Sequence, residues 1–136
     1  MTRYLSLAEF WYLAEYVTGI DAATLIKVSR VDLADSAINA PQAGFGDTDF
    51  YPDIYDKAAV LACRIAWNHP LPDGNKRVAW ACLRLFVDLN RGSWSEDHPR
   101  ADDAVEAMLS VAARNVDETW LASWLRERVA FPDRHV

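Results

Sequence analysis

The most informative stretch of this chain is the nine residues His69-Pro70-Leu71-Pro72-Asp73-Gly74-Asn75-Lys76-Arg77. An apolar run from Val78 to Leu89 follows them. Because Pro, Asp, Gly and Asn are turn residues and a long apolar run after a turn is typical of a buried helix, the pattern predicts a turn at Gly74 and Asn75 that leads into a helix. The free backbone N–H groups at the start of that helix would point back at the loop.

The same nine residues carry the side chains that phosphate chemistry requires. A helix start binds anions, and Lys76 and Arg77 would add full positive charge there. Asp73 is suited to hold a divalent metal against phosphate oxygens, and His69 is the natural general base. From residue types alone an ordinary turn between two helices is an equal alternative, with Asp73 or Asn75 as the N-cap and both cations solvated.

The motif resembles the signature of the Fic/Doc superfamily, His-Pro-Phe-x-Asp/Glu-Gly-Asn-Gly/Lys-Arg, which also lies between two apolar helical segments. The segments 45–46 and 49–52 are similar to the flap of the Doc branch, and 57–59 to the helix before the motif, so the resemblance covers most of the chain. One departure is visible. Leu71 stands at the usual Phe position, where we expect it to serve as an apolar plug that contributes on the order of 2 kcal/mol.

One position in the motif separates two chemistries within that superfamily. Members that transfer AMP usually carry Gly after the Asn, which leaves an open backbone anion hole for the α and β phosphates, whereas the Doc branch carries Lys. Here the residue is Lys76. A Lys side chain would fill part of the anion hole and supply its own point charge. The resemblance therefore implies an inverted nucleotide that presents its γ-phosphate to the attacking hydroxyl.

The resemblance implies a toxin kinase that uses ATP and Mg²⁺ to phosphorylate a Thr or Ser hydroxyl of a translation factor, elongation factor Tu in the Doc branch, and so arrests protein synthesis. His69 would be the catalytic base and Asp73 would hold Mg²⁺. The residues expected to bind the nucleotide are Gly74, Asn75, Lys76 and Arg77.

An antitoxin is the regulatory partner that the resemblance implies, with a disordered tail that folds into a groove on the toxin surface. Two alternatives stay open. The first is transfer of AMP or another nucleotide onto protein hydroxyls, as in most Fic enzymes. The second is a non-catalytic binding module that retains the fold.

Length and charge limit the classes of protein that are possible. With 136 residues, 51% of them hydrophobic, the chain predicts a single domain over residues 1–136 with one core. A net charge of −6 and a pI near 4.9 argue against a nucleic-acid partner. No stretch approaches the roughly 20 apolar residues of a membrane span and no signal-like segment begins the chain, so we expect a cytoplasmic protein with no membrane partner.

Helical periodicity predicts an all-α fold, a compact bundle around a central apolar helix. The run from Val78 to Leu89 is apolar nearly all round and is the expected central helix. The segment from Asn39 to Phe50 contains Pro and Gly and predicts a loop or short β-hairpin over the active loop. The resemblance implies that it is the flap that docks the target, with a plain surface connection as the alternative. The other predictions are helices over 6–18, 21–28, 31–38, 52–68 and 101–113, a polar loop over 93–99, and a last helix capped by Asp117.

Few residues outside the motif are candidates for chemistry. Cys63 and Cys82 lie in apolar segments without metal-ligand spacing, so we expect reduced core thiols. Lys57 and Arg64 are within reach of a nucleotide from the preceding helix, although solvated surface charge is the favoured interpretation. His98 and His135 are not spaced with His69 as metal ligands, and no role is assigned to them.

Overall fold

The computed structural model describes residues 1–95 and 101–132, and over these residues the chain is mostly helical. The helices are α1 (Leu7–Thr18), α2 (Ala22–Val28), α3 (Val31–Asn39), α4 (Ile54–Asn68), α5 (Asn75–Leu89), α6 (Ala101–Ala112) and α7 (Glu118–Arg126), with a 3₁₀ turn at Ala40–Gln42. Two antiparallel pairs of short strands accompany them, β1 (Gly44–Phe45) with β2 (Thr48–Asp49) and β3 (Ser93–Trp94) with β4 (Val129–Ala130). The all-α prediction and the hairpin flap are confirmed.

Helix α1 begins and ends as its sequence predicts. The Ser6 hydroxyl accepts from the Glu9 backbone N–H at 3.1 Å, and the Glu9 carboxylate accepts from the Ser6 N–H at 2.8 Å, which completes a capping box. Gly19 then ends the helix at φ 75°, a conformation that favours glycine. At the other end of the chain, the Asp117 carboxylate accepts from the Trp120 N–H and caps α7 as predicted.

The central helix is α4 and not α5, so that prediction was wrong. Helix α4 packs against α3, α5, α6 and α7, and ten of its 15 residues are buried. Four of the buried residues are alanines, 58, 59, 62 and 66, whose small side chains let neighbouring helices approach closely. Helix α5 buries only one face, because Arg84 and Asp88 lie exposed on the other, one turn apart.

Smaller differences occur where elements begin and end. Asp53 is the N-cap of α4 instead of a first-turn residue, since its carboxylate accepts from the Tyr55 N–H. The predicted polar loop at 93–99 contains strand β3, and its residues from 96 onward, His98 included, lie outside the described residues, as does His135. Cys63 and Cys82 are free and buried, as predicted. Within residues 1–95 and 101–132, no helix is long and apolar enough to span a membrane.

Candidate active site

His69 stands where α4 ends. It adopts φ 50°, the left-handed region that few non-glycine residues occupy, and Pro70 after it prevents the helix from continuing. The imidazole is therefore displayed at the surface of the loop instead of packing along the helix. The Pro70 carbonyl accepts from the Arg30 backbone N–H at 2.8 Å, which ties the loop to the junction of α2 and α3.

Asn75 holds the loop in shape. Its side-chain oxygen accepts from the Leu71 N–H and its side-chain NH₂ donates to the Leu71 carbonyl, both at 2.9 Å. Asn75 is 8% exposed and Leu71 is 4% exposed, so this pair of hydrogen bonds is shielded from water. Leu71 is the apolar plug that the sequence predicts, whereas the amide of Asn75 is occupied with the loop backbone.

Gly74 makes the turn into α5 and leaves its start open. It occupies the N-cap position at φ 84°, and a Cβ there would lie 3.1 Å from the Arg77 Nη2 and 3.4 Å from the Thr18 Cγ2. Any larger residue would thus be strained and crowded. No side chain caps the helix, so the first N–H groups of α5 remain available to an anion.

The charged side chains of the motif surround this helix start. Asp73, Lys76 and Arg77 are all exposed. Arg77 extends toward α1, where its Nη1 lies 3.5 Å from the Val17 carbonyl. Within the described part of the chain, Asp73 and Lys76 have no hydrogen-bond or ion-pair partner, so both side chains are available to a ligand.

Three pockets open along the loop and share lining residues. The His69 pocket, about 310 Å³, also contains Arg30 and Asn75. The Asp73 pocket, about 130 Å³, shares Val28 and Pro72 with it. The Trp80 pocket, about 280 Å³, lies between α5 and α6 and is lined by apolar side chains apart from Lys76 and Arg77. Arg77 also lines the Asp73 pocket, so neighbouring pockets share lining residues around the start of α5, and we call the three pockets together the loop groove.

A phosphate-bound divalent metal fits the groove better than a metal held by protein ligands alone. No group of three or more His, Cys, Asp or Glu side chains gathers as a metal site in the portion of the chain that the structure describes. Mg²⁺ is commonly bound by one or two carboxylates together with substrate phosphates. The exposed Asp73 carboxylate, in the same pocket as Arg77, suits that arrangement.

Lys57 and Arg64 contact the flap region, and neither lines the loop groove. Lys57 is 2% exposed, so the prediction of a solvated side chain was wrong for it. Its Nζ donates to the Pro41 carbonyl at 3.1 Å and lies 3.4 Å from the Asp49 carboxylate in the flap. Arg64 donates to the Tyr51 hydroxyl at 3.0 Å. Helix α4 therefore anchors both the beginning and the end of the flap.

Arg30 is the charged residue of the loop groove that the sequence analysis did not identify. It lies outside the motif, and no local pattern around it differs from that of a surface arginine. Its place beside His69 arises because the α2–α3 junction packs against the loop. The apolar wall of the Trp80 pocket was likewise missed, since α6 contributes most of it.

The helical bundle carries a displayed histidine, a glycine turn and a cationic helix start in one loop. A model of the Fic/DOC family matches residues 4–87. A relative from Mycolicibacterium smegmatis (strain ATCC 700084 / mc(2)155) that bears the name Toxin Doc is 40% identical over 100 residues, which are 74% of this chain and 76% of the relative. The chain therefore belongs to the Fic/DOC family. Within it, the similarity is to the Doc-type toxins, as the resemblance predicts.

Proposed function

We propose that this chain is a Doc-type toxin that transfers the γ-phosphate of ATP to a Ser or Thr hydroxyl of a translation factor. The observation that carries the proposal is the order of groups along the loop groove. His69 lies at one end, the start of α5 with its cations lies between, and the apolar Trp80 pocket lies at the other end.

This order favours the γ-phosphate over the α-phosphate as the group that reaches His69. A nucleotide has an apolar, flat base at one end and its terminal phosphate at the other. The Trp80 pocket offers an indole and apolar side chains of α6, which suit a base. With the base there, Lys76 and Arg77 lie nearest the inner phosphates, and the terminal phosphate extends toward His69.

Four side chains of the motif, those of His69, Asp73, Lys76 and Arg77, have a role in the proposed reaction. His69 accepts the proton of the attacking hydroxyl, whose oxygen bonds to the γ-phosphorus as the bond to the β–γ bridging oxygen breaks and ADP leaves. Lys76, Arg77 and the free N–H groups of α5 bind the phosphates. Asp73 would hold Mg²⁺, which supplies charge neutralisation on the phosphate oxygens.

The flap is the proposed docking element for the protein substrate. Strands β1 and β2 form an exposed two-stranded pair, and Phe45 at its edge is 82% exposed. An extended segment that carries the acceptor hydroxyl can add to such an edge by backbone pairing. By family membership we propose elongation factor Tu as the substrate and an antitoxin with a folding tail as the regulator, which makes this a cytoplasmic function. The acidic net charge gives no support to a nucleic-acid partner.

The test is to incubate the purified chain with elongation factor Tu, Mg²⁺ and ATP and to weigh the target by intact mass spectrometry. We expect a gain of about 80 Da, one phosphoryl group in place of a hydrogen, and no gain with the His69→Ala variant. A gain of about 329 Da would show AMP transfer and overturn the proposed orientation. An unchanged mass would rule out this target.

A further inference from the structure

Arg30 is held against the active loop by its backbone. Its N–H donates to the Pro70 carbonyl at 2.8 Å, and its own carbonyl accepts from the N–H groups of Leu33 and Ala34 at the start of α3, both at 3.1 Å. The residue thus joins α3 to the loop that carries His69. Because both backbone polar groups are occupied, the Cα of Arg30 is fixed relative to the proposed base.

The side chain of Arg30, by contrast, has nothing to bind. It is exposed, and its guanidinium has no hydrogen-bond or ion-pair partner among the residues that the structure describes. It lines the His69 pocket, where the Asn75 amide is occupied by the Leu71 backbone and the other lining residues are apolar or proline. Arg30 and His69 are therefore the two groups in that pocket that can engage a polar ligand.

The Arg30 guanidinium lines the same pocket as the proposed general base and has no carboxylate partner there. It is therefore suited to bind an anion that arrives with the substrate. Its planar set of N–H donors matches two oxygens of a phosphoryl group. Lys76 and Arg77 line the Trp80 pocket and Arg77 also lines the Asp73 pocket, but neither of these motif cations lines the His69 pocket.

We infer that Arg30 binds the oxygens of the phosphoryl group that is transferred, at the His69 end of the loop groove. The inference rests on the proposed function only in that a phosphoryl group must pass beside His69, and it holds whether the γ- or the α-phosphate is the one transferred. An arginine at that place offsets the charge that accumulates on the group during transfer.

The test compares Arg30→Gln and Arg30→Lys with a matched control, Lys27→Gln. Lys27 is exposed on α2 one turn before Arg30, lines none of the three pockets, and loses the same single charge. In the transfer assay with elongation factor Tu, Arg30→Gln should lower kcat by about a hundredfold or more while the KM for the target stays unchanged. Arg30→Lys should recover part of the loss, and Lys27→Gln should behave as the parent chain.

A second measurement keeps the inference separate from the identity of the target and of the reaction. Tripolyphosphate with Mg²⁺ is titrated calorimetrically into each folded variant, with circular dichroism as the check on folding. We expect Arg30→Gln to weaken binding about tenfold and Lys27→Gln to leave it unchanged. If no transfer to elongation factor Tu occurs but this difference is found, that target is ruled out and the Arg30 site stands.

Three results would overturn the inference. Equal tripolyphosphate affinity of the parent chain and Arg30→Gln would show that the guanidinium does not contact the anion. An equal loss in Lys27→Gln would show that only the general charge of this surface matters. A raised KM for the target with unchanged kcat would assign Arg30 to the protein substrate, through a carboxylate near its acceptor hydroxyl.

Discussion

Asn75 shows how one residue of a binding motif can serve the shape of the loop. Its amide pairs with both backbone groups of Leu71, and the pair is buried, so each bond lost leaves a polar group without water. The stability of the loop therefore depends on the side chain of Asn75, which the motif alone predicts to bind the nucleotide. The side chain of Lys76, one residue later, is exposed and has no hydrogen-bond or ion-pair partner among the described residues.

Replacing Asn75 should consequently destabilise the whole chain. We expect Asn75→Ala to lower the free energy of unfolding by about 2 kcal/mol, because the Leu71 N–H and carbonyl are left unpaired in the interior. Urea denaturation measures the change. Lys76→Ala is the matched control and should shift the free energy by less than about 0.5 kcal/mol. Equal stability of Asn75→Ala and the parent chain would refute the locking role.

Lys76 should instead affect nucleotide binding. Its ammonium has no partner within the described residues, so its charge is available to the phosphates. We expect Lys76→Ala to weaken the binding of Mg²⁺-ATP about tenfold in a calorimetric titration, the loss of one charged hydrogen bond. Lys76→Arg keeps the charge and should retain most of the affinity. Unchanged affinity of Lys76→Ala would place the phosphates elsewhere.

At the scale of elements, the flap depends on a buried lysine of α4. Lys57 binds the Pro41 carbonyl before the hairpin and the Asp49 carboxylate within it, so a single side chain links the hairpin to the central helix. Breaking these contacts frees the flap without altering the loop groove, because Lys57 lines none of the three pockets. Removing the partners of Lys57 would leave its amino group buried and unpaired, which would itself destabilise the protein. Replacing Lys57 by an apolar residue is therefore the clearer test of its role.

We expect Lys57→Met to loosen the flap. Chymotrypsin should then cleave faster after Phe45 and Phe50, both exposed on the flap, and the KM for the protein target should rise while ATP affinity stays the same. Mass spectrometry of the digest gives the cleavage sites and rates. Asp49→Asn retains the contact between Lys57 and the Pro41 carbonyl, so its cleavage rates should lie between those of the parent chain and Lys57→Met. Identical digestion of parent and Lys57→Met would contradict the anchoring role.

At the scale of the whole molecule, the two thiols report on the core between α4 and α5. Burial raises the pKa of Cys63 from 9.0 to about 12 and also raises the pKa of Cys82, because neither thiolate would be solvated there. The unfolded chain therefore loses these protons at a lower pH than the native chain. Since the native state then binds more protons, stability falls as pH rises above about 9.

The prediction concerns the slope of that decline. The free energy of unfolding, measured by urea denaturation under reducing conditions from about pH 8 to 11, should fall more steeply for the parent chain than for Cys63→Ala/Cys82→Ala. Tyr and Lys titrate in both chains, so the difference between the two curves isolates the thiols. Parallel curves would mean that the thiols ionise equally well in the native core.

The sequence predicted most of the caps and turns, because these depend on contacts between near neighbours in the chain. The Ser6 capping box, the Gly19 stop, the Asp117 cap, the turn at Gly74 and the hairpin between α3 and α4 all follow from residues that contact neighbours in the chain. The motif also pointed to His69, Asp73, Lys76 and Arg77. All four residues line the loop groove. Its family signature is confirmed by the match over residues 4–87.

Four features became visible only once the helices were packed together. Helix α4 is central, and Lys57 is buried beneath the flap. Strand β3 pairs with β4, and Arg30 lies at the His69 pocket. Local sequence predicted the helices, several of their caps and the glycine turn of the loop. The physical reason is that periodicity and capping arise from residues one turn apart, whereas burial and pocket membership depend on packing between segments far apart in the chain.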